Sequence, residues 1–444
     1  MRRLFATALG LLILAGSADS APARANGVGP FDDVWVARKG EAYPGSGSSC
    51  ARPHAVADGV DDQSELNWAV QHLNDHGTLH LCAGTFHLTN PIGRLAPCAP
   101  GCYFALPTHL TISGAGMRKT ILDGGATYSG GVRTGPGSDI IWEISDEEEL
   151  TLSDLTVQNA VEPNGNGAAV SSGADVHIIR ARFYRNETAA EGSNLSGAAI
   201  DAPNITIIDS IFAENTADGN GGAIDGIYVE VSGSLFRGNS ANGKGGAINA
   251  ASVVVTNSRF TGNVSLGTDL CKGGGGAIYA RQALTIHSGT FDRNRADAES
   301  CAEADPDWAT NSAGFGGAVY LEAASSANAT ISNATFSRNS AAFAGGAAAL
   351  LGELNLALLT FTANASGGWG GALFYIGQAY EPLASGFASL IFRRNVAQIN
   401  GGAIYVECAG VSEATGIATA SRYASNRDRT APYSPNYFDN AACP

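Results

Sequence analysis

Two aspartates, Asp201 and Asp225, occupy the same place in consecutive units of an internal repeat. Each directly follows the last residue of a small tetrapeptide, Gly197-Ala198-Ala199-Ile200 and Gly221-Gly222-Ala223-Ile224. If the units stack as strands, the two carboxylates lie about 5 Å apart at the backbone. Carboxylates so close raise one another's pKa or share a cation such as calcium, and pairs at about that separation also serve glycoside cleavage. The same position further along the repeat carries Tyr279, Tyr320, Phe374 and Tyr405. Period-2 alternation turns these rings outward if the preceding residue points in, giving a line on which sugar rings or apolar groups could stack. The plainer alternative is that aromatics favour strand faces and that two aspartates form a solvated edge. A further contact candidate is Trp308, beside Asp305 and Asp307 in the long insertion between Arg295 and Phe315; loops on a rigid scaffold carry function.

The repeat itself decides what positions these residues. Eight Phe-x-x-Asn motifs end at Asn186, Asn215, Asn239, Asn263, Asn294, Asn339, Asn364 and Asn395, spaced 29, 24, 24, 31, 45, 25 and 31 residues apart. The unit is therefore 24 residues and the excess is loop. Each unit reads as short period-2 runs cut by Gly and Asn, which argues strand; helical repeats of this length do not accommodate 57 glycines in one chain. Stacking one unit per coil puts Phe over Phe and Asn over Asn, an aromatic stack and an amide ladder. Gly-Gly-Ala supplies positive φ and close backbone approach at a corner. Degenerate units extend the array, Leu155 to Asn159 upstream and Tyr423 to Asn426 downstream. The expected fold is all-β, a right-handed parallel β-helix forming a single elongated domain with an N-terminal helix cap.

The pairing of Phe-x-x-Asn with Gly-Gly-Ala-Ile over about half of the chain resembles the repeat of the chlamydial polymorphic outer membrane proteins and related bacterial β-helix adhesins. The front end is similar to the start of pectate-lyase-like β-helix proteins: Asp58-Gly59-Val60-Asp61-Asp62, then an amphipathic helix from Ser64 to about Leu73, then Gly77 to Phe86. That helix is expected to plug the open end of the solenoid. The first resemblance implies an adhesin-like scaffold that binds glycan or protein. The second implies an extracellular polysaccharide lyase or glycoside hydrolase, with Asp201 and Asp225 as acid/base pair or cation site and Arg185 as proton acceptor in a lyase. Because no compact acid, base and nucleophile constellation is visible, the non-catalytic reading leads.

Arg2-Arg3, an apolar run from Leu4 to about Gly16, and Ala23-Arg24-Ala25 form a secretory signal over residues 1–25. The remaining expected divisions are an N-terminal cap over 26–95, the β-helix over 96–426 with its regular repeats at 183–404, and a C-terminal cap over 427–444. No later apolar stretch approaches a membrane-spanning length. Losing Arg2, Arg3, Arg24 and Asp19 takes the net charge from −15 to −17, which argues against nucleic acid and anionic membrane as partners. An extracellular glycan or protein surface is the expected partner. The eight cysteines suit an oxidising compartment. The expected pairs are Cys50 with Cys82, Cys98 with Cys102, Cys271 with Cys301, and Cys408 with Cys443. No metal site or resident cofactor is expected beyond calcium gathered by the acidic surface.

Overall fold

The computed structural model describes residues 31–39, 49–92, 106–130, 132–144, 149–189, 195–268, 273–297, 314–322, 327–377, 386–407, 411–429 and 437–440. The signal segment 1–25 and Trp308 lie outside the described residues. So do Cys98, Cys102, Cys271, Cys301, Cys408 and Cys443, and with them three of the four expected cysteine pairs. The fourth is present: Cys50 and Cys82 form a disulfide with Cα atoms 5.6 Å apart.

The chain winds as a right-handed parallel β-helix. One coil contributes a long strand (Ile224–Ser232), a three-residue strand carrying the Phe (Leu235–Arg237) and a two-residue strand after the Asn (Ser240–Ala241). The next coil repeats this as Ile248–Thr256, Arg259–Thr261 and Val264–Ser265. The register is residue for residue, Ile224 beside Ile248, Phe236 beside Phe260 and Ala241 beside Ser265.

Two columns fill the tube. Phe183, Phe212, Phe236, Phe260, Phe291, Phe336, Phe361 and Phe392 stack face over face, neighbouring centroids 4.8–5.0 Å apart. Beside them the ladder asparagines, none more than 1% exposed, each donate through Nδ2 to the Oδ1 of the next coil's asparagine. Asn239 to Asn263 is 3.0 Å, and the backbone N–H of Asn239 donates to the same oxygen at 3.1 Å. The second Nδ2 proton of Asn263 goes to the carbonyl of Phe236 at 3.1 Å. Every polar atom of the buried amide is thereby satisfied, which removes the cost of burying it. The ladder ends on Asn426 at 3.0 Å from Asn395. Upstream, Val157 pairs with Phe183, so the ladder position there is Ala160. Its N–H donates to Asn186 at 3.1 Å, whereas Asn159 sits one residue early, at a left-handed corner.

That corner recurs just before each ladder asparagine. Arg185, Glu214, Arg293, Arg338, Ala363 and Arg394 all have φ between 54° and 56° there, and Gly238 and Gly262 share the place. The first glycine of each small tetrapeptide is also left-handed. At Gly245 (φ +68°) a Cβ would meet the carbonyl oxygen of Ile248 at 2.2 Å.

At the front, helix α1 (Gln63–Gln71) inserts Leu66, Ala69 and Val70 into the end of the core. The Asp58–Asp62 segment is structural: the buried Asp62 carboxylate accepts the N–H groups of Gly59 at 2.6 Å and His87 at 2.8 Å and pairs with Arg38 at 3.3 Å. A second helix, α2 (Val411–Ala420), lies beyond the regular repeats, within the stretch 96–426 expected to be β-helix. Its Ile417 is buried in the core.

Asn263→Ala removes the acceptor of the Asn239 N–H and of one Asn239 Nδ2 proton and should cost about 3 kcal/mol or more. Gly245→Ala should be similarly damaging, whereas Gly238→Ala, with nothing nearer than Glu214 Cγ at 3.9 Å, should cost only the left-handed penalty of about 1 kcal/mol. Urea unfolding midpoints of the three variants check this ranking.

Candidate functional site: a carboxylate pair on the outer wall

Asp201 and Asp225 are direct register partners on the long strands Ile200–Ile208 and Ile224–Ser232. Ile200 and Ile224 point into the core, so the aspartates turn to the outside, half-buried. They line a recess of about 580 Å³ with Ser172, Pro203, Ile227 and Arg281. Burial, and then the nearby Asp225 carboxylate, push the Asp201 pKa up to about 7, although Asn166 donates a hydrogen bond to it. The Asp225 pKa is also raised, by burial, against hydrogen bonds from Asn249 and Ser196 and the charge of Arg281; the Asn249 bond is 2.7 Å. Both carboxyl groups thus hold protons more tightly than ordinary aspartates, and Asp201 is partly protonated near neutral pH. Such a pair can donate and accept hydrogen bonds at once.

Arg281 is the residue that sequence reasoning missed. The pairing of Ile248–Thr256 with Ile278–His287 shifts register after Ala250, a bulge that turns Arg281 toward the carboxylates. The signal was countable: thirteen residues separate Ile278 from Phe291, where the three preceding coils have twelve. Arg185, by contrast, is not brought to the pair. It sits at the ladder corner with its guanidinium 3.0 Å from Glu214 and 4.8 Å from the Tyr184 ring centroid, lining a different recess with Tyr128, Arg133 and Glu187.

The four aromatics expected on an exposed face are buried: Tyr279 is 2% exposed, Tyr320 5%, Phe374 1% and Tyr405 6%. They do point out of the tube, but residues preceding the Gly-Gly corners fold over them and make a second apolar core. Phe315 stacks on Tyr320 at 5.5 Å and meets Phe374 edge-on at 5.7 Å, and Phe343 and Trp369 pack on the same cluster. Lys244 bridges Tyr279 and Glu322 at 2.9 and 3.0 Å, fastening the corner to the strand. Alternation distinguishes the inside of a tube from its outside; it carries no information on what covers the outside. These rings are thus unavailable to a ligand.

Calcium is poorly served by this donor set. It takes six to eight oxygen ligands, whereas the recess offers two carboxylates and sets an arginine beside them. Among the described residues no group of three or more His, Cys, Asp or Glu is arranged to hold a metal, and no helix is long and apolar enough to cross a membrane.

An acid whose folded pKa lies above its unfolded value binds a proton on folding. Stability is therefore lost as pH rises from the ordinary carboxylate range through about 7. Asp201→Asn should raise the urea midpoint at pH 8 and leave it nearly unchanged at pH 4; equal midpoints at pH 8 would refute the strained pair.

Four segments of the chain, residues 209–226, 233–251, 257–281 and 389–407, match the Chlamydia polymorphic membrane protein repeat. No curated protein matches the chain. Among solved structures it is similar to PfbA, a surface adhesin of Streptococcus pneumoniae, at 14% identity over 86% of this chain and 88% of that one, with a TM-score of 0.37. It is also similar to the catalytic unit of a thermostable GH87 α-1,3-glucanase from Streptomyces thermodiastaticus strain HF3-3, at 13% identity over 87% and 68%, with a TM-score of 0.35. The chain is thus a parallel β-helix that carries the Chlamydia polymorphic membrane protein repeat in four places.

Proposed function

We propose that this chain is an exported, surface-associated β-helix scaffold that binds glycan without cleaving it, and that the Asp201/Asp225/Arg281 recess is its contact site. The observation that carries this reading is the recess itself. It combines two adjacent carboxyl groups of raised proton affinity and a guanidinium with exposed Ile227 alongside, and it opens broadly to solvent. Carboxylate and guanidinium groups around apolar surface suit the hydroxyls and the carbon faces of a sugar. The coils bearing the pair are among the shortest, so little chain is available there to wall a cleft that would exclude water, as catalysis by a carboxylate pair favours. The polymorphic membrane protein repeat supports a place at the cell surface, and the Cys50–Cys82 disulfide supports an oxidising compartment.

One observation favours a second reading. Two carboxyl groups on adjacent strands, with the Asp201 pKa raised to about 7, are the kind of pair a glycosidase uses, one group as acid and the other as nucleophile or base.

The experiment incubates residues 26–444 with a panel of neutral and acidic polysaccharides and follows both retention on the polymer and release of product. Retention without product, weakened about tenfold by Arg281→Ala through loss of one charge-assisted contact, is the expected result. Product release abolished by Asp201→Asn would establish the glycosidase instead. Neither retention nor release would direct attention to a protein partner.

A further inference from the structure

The ladder corner gives the molecule a second functional edge. Arginine recurs there at two kinds of position, the left-handed residue before each ladder asparagine and the outward places flanking the core Phe of the strand leading into it. Arg185, Arg293, Arg338 and Arg394 are of the first kind; Arg259 and Arg393 are of the second. Because the coils stack in strict register, these residues form one stripe along the stack. Arg185 and Arg394 are seven coil steps apart, and the measured stacking of 4.8–5.0 Å makes that about 34 Å. The chain as a whole carries a net charge of −15, so a row of arginines on one edge, even interrupted by Glu214, Gly238, Gly262 and Ala363, is not an average property of its surface.

The arginines fall into two groups. Arg185 is matched by Glu214. Arg293 and Arg338 share Asp292, with Arg338 making two contacts of 2.8 Å. Among the described residues, Arg259, Arg393 and Arg394 make no ion pair, and all three are exposed. Their charge is not needed by the coil: Arg259 is registered with Thr290 and Arg393 with Thr362, and Ser425 takes the left-handed place one coil beyond Arg394. Between Arg259 and Arg293 the corner is nearly bare, since Gly262 has nothing within 4 Å of where a Cβ would stand. An extended chain can approach the backbone there.

We propose that this arginine edge binds a linear carboxylated glycan, a polyuronate chain laid along the stacking axis with its carboxylates on successive guanidinium groups. A pyranose ring in an extended chain is comparable in length to one coil, so acidic groups can meet arginines at coil multiples. Guanidinium groups match carboxylates in planar, two-point contacts. A nucleic acid fits less well: single strands are held by bases stacking on free aromatic rings, and Tyr184 and Tyr128 at this edge are covered by Arg185. The inference rests on the reading of the protein as a glycan-binding scaffold but uses a face separate from the aspartate recess.

The test measures binding of a fluorescein-labelled oligogalacturonate by anisotropy at low and at physiological salt. Controls are the fully methyl-esterified oligomer and an oligo-dT of similar length. The triple variant Arg259→Thr, Arg393→Thr, Arg394→Ser uses side chains already found at those coil positions. We expect the acid oligomer to bind, binding to weaken with salt, and affinity to fall about tenfold in the triple variant, the sum of three exposed charge contacts. Loss of affinity in Arg281→Ala but not in the triple variant would assign the binding to the recess and overturn this proposal, which separates its failure from failure of the recess reading. No binding, equal binding of the ester, undiminished affinity in the triple variant, or tighter binding of oligo-dT would each overturn it. Should the triple variant fold poorly by circular dichroism, the comparison of acid and ester on the unaltered protein still decides.

Discussion

One hydrogen bond, repeated, fixes most of this structure: the amide of each ladder asparagine donating to the amide oxygen of the next. It can form only if successive coils keep the same residue at the same height, because a side-chain amide has no reach to spare. The ladder therefore sets the register of every strand attached to it. The Phe stack, the paired long strands and the glycine corners follow from that register. Insertions can enter only where they leave it intact, which is why the spacing varies from 24 to 45 residues while Asn294 and Asn339 remain 3.0 Å apart.

A strict register has a chemical consequence on the outside of the tube. Any position that faces outward becomes a column, and the column's chemistry is whatever the sequence writes into it coil by coil. The column behind the Gly-Gly corner changes from Asp201 and Asp225 through Asn249 to Tyr279 and Tyr320. Its lower part is a polar recess and its upper part a second apolar core. The column at the ladder corner changes from Arg185 and Glu214 through glycines to Arg293 and Arg338. Both candidate sites arise from the same constraint, with no dedicated loop needed to bring residues together.

What the sequence could disclose divides along this line. The stack, the ladder and the corner glycines were legible because each depends on residue identity at a repeating place, and identity is what a sequence shows. The pairing of Asp201 with Asp225 was legible for the same reason. Misreadings came where an outcome depended on volume or on a one-residue shift. Phe315 and Phe343 fold back over Tyr279, Tyr320 and Phe374 because the corner leaves room for them, and room is not written in a periodicity. Asn159 resembles a ladder residue but falls one place short, at the left-handed corner. Arg281 reaches the recess only because its strand bulges. Arg185 was grouped with the aspartates by the lyase resemblance, whereas the coil sends it to another edge.

The aspartate pair is the place where local and global requirements disagree, and that disagreement is informative. Along the regular coils the repeat's signature residues suit their surroundings: asparagine where an amide must be bonded on both sides, glycine at the first place of the small tetrapeptide, apolar side chains inside the tube. At Asp201 and Asp225 two like charges are held on adjacent strands, partly out of water, with their proton affinities raised. The fold gains nothing from this, since Ser171 and Asn249 occupy the same column without charge. A serine or asparagine at either place would keep the strand, the corner and the ladder. A locally unfavourable choice in an otherwise self-consistent repeat is expected where a ligand supplies what the fold does not. A hydroxyl-rich chain entering the recess would do so, exchanging hydrogen bonds with both carboxyl groups.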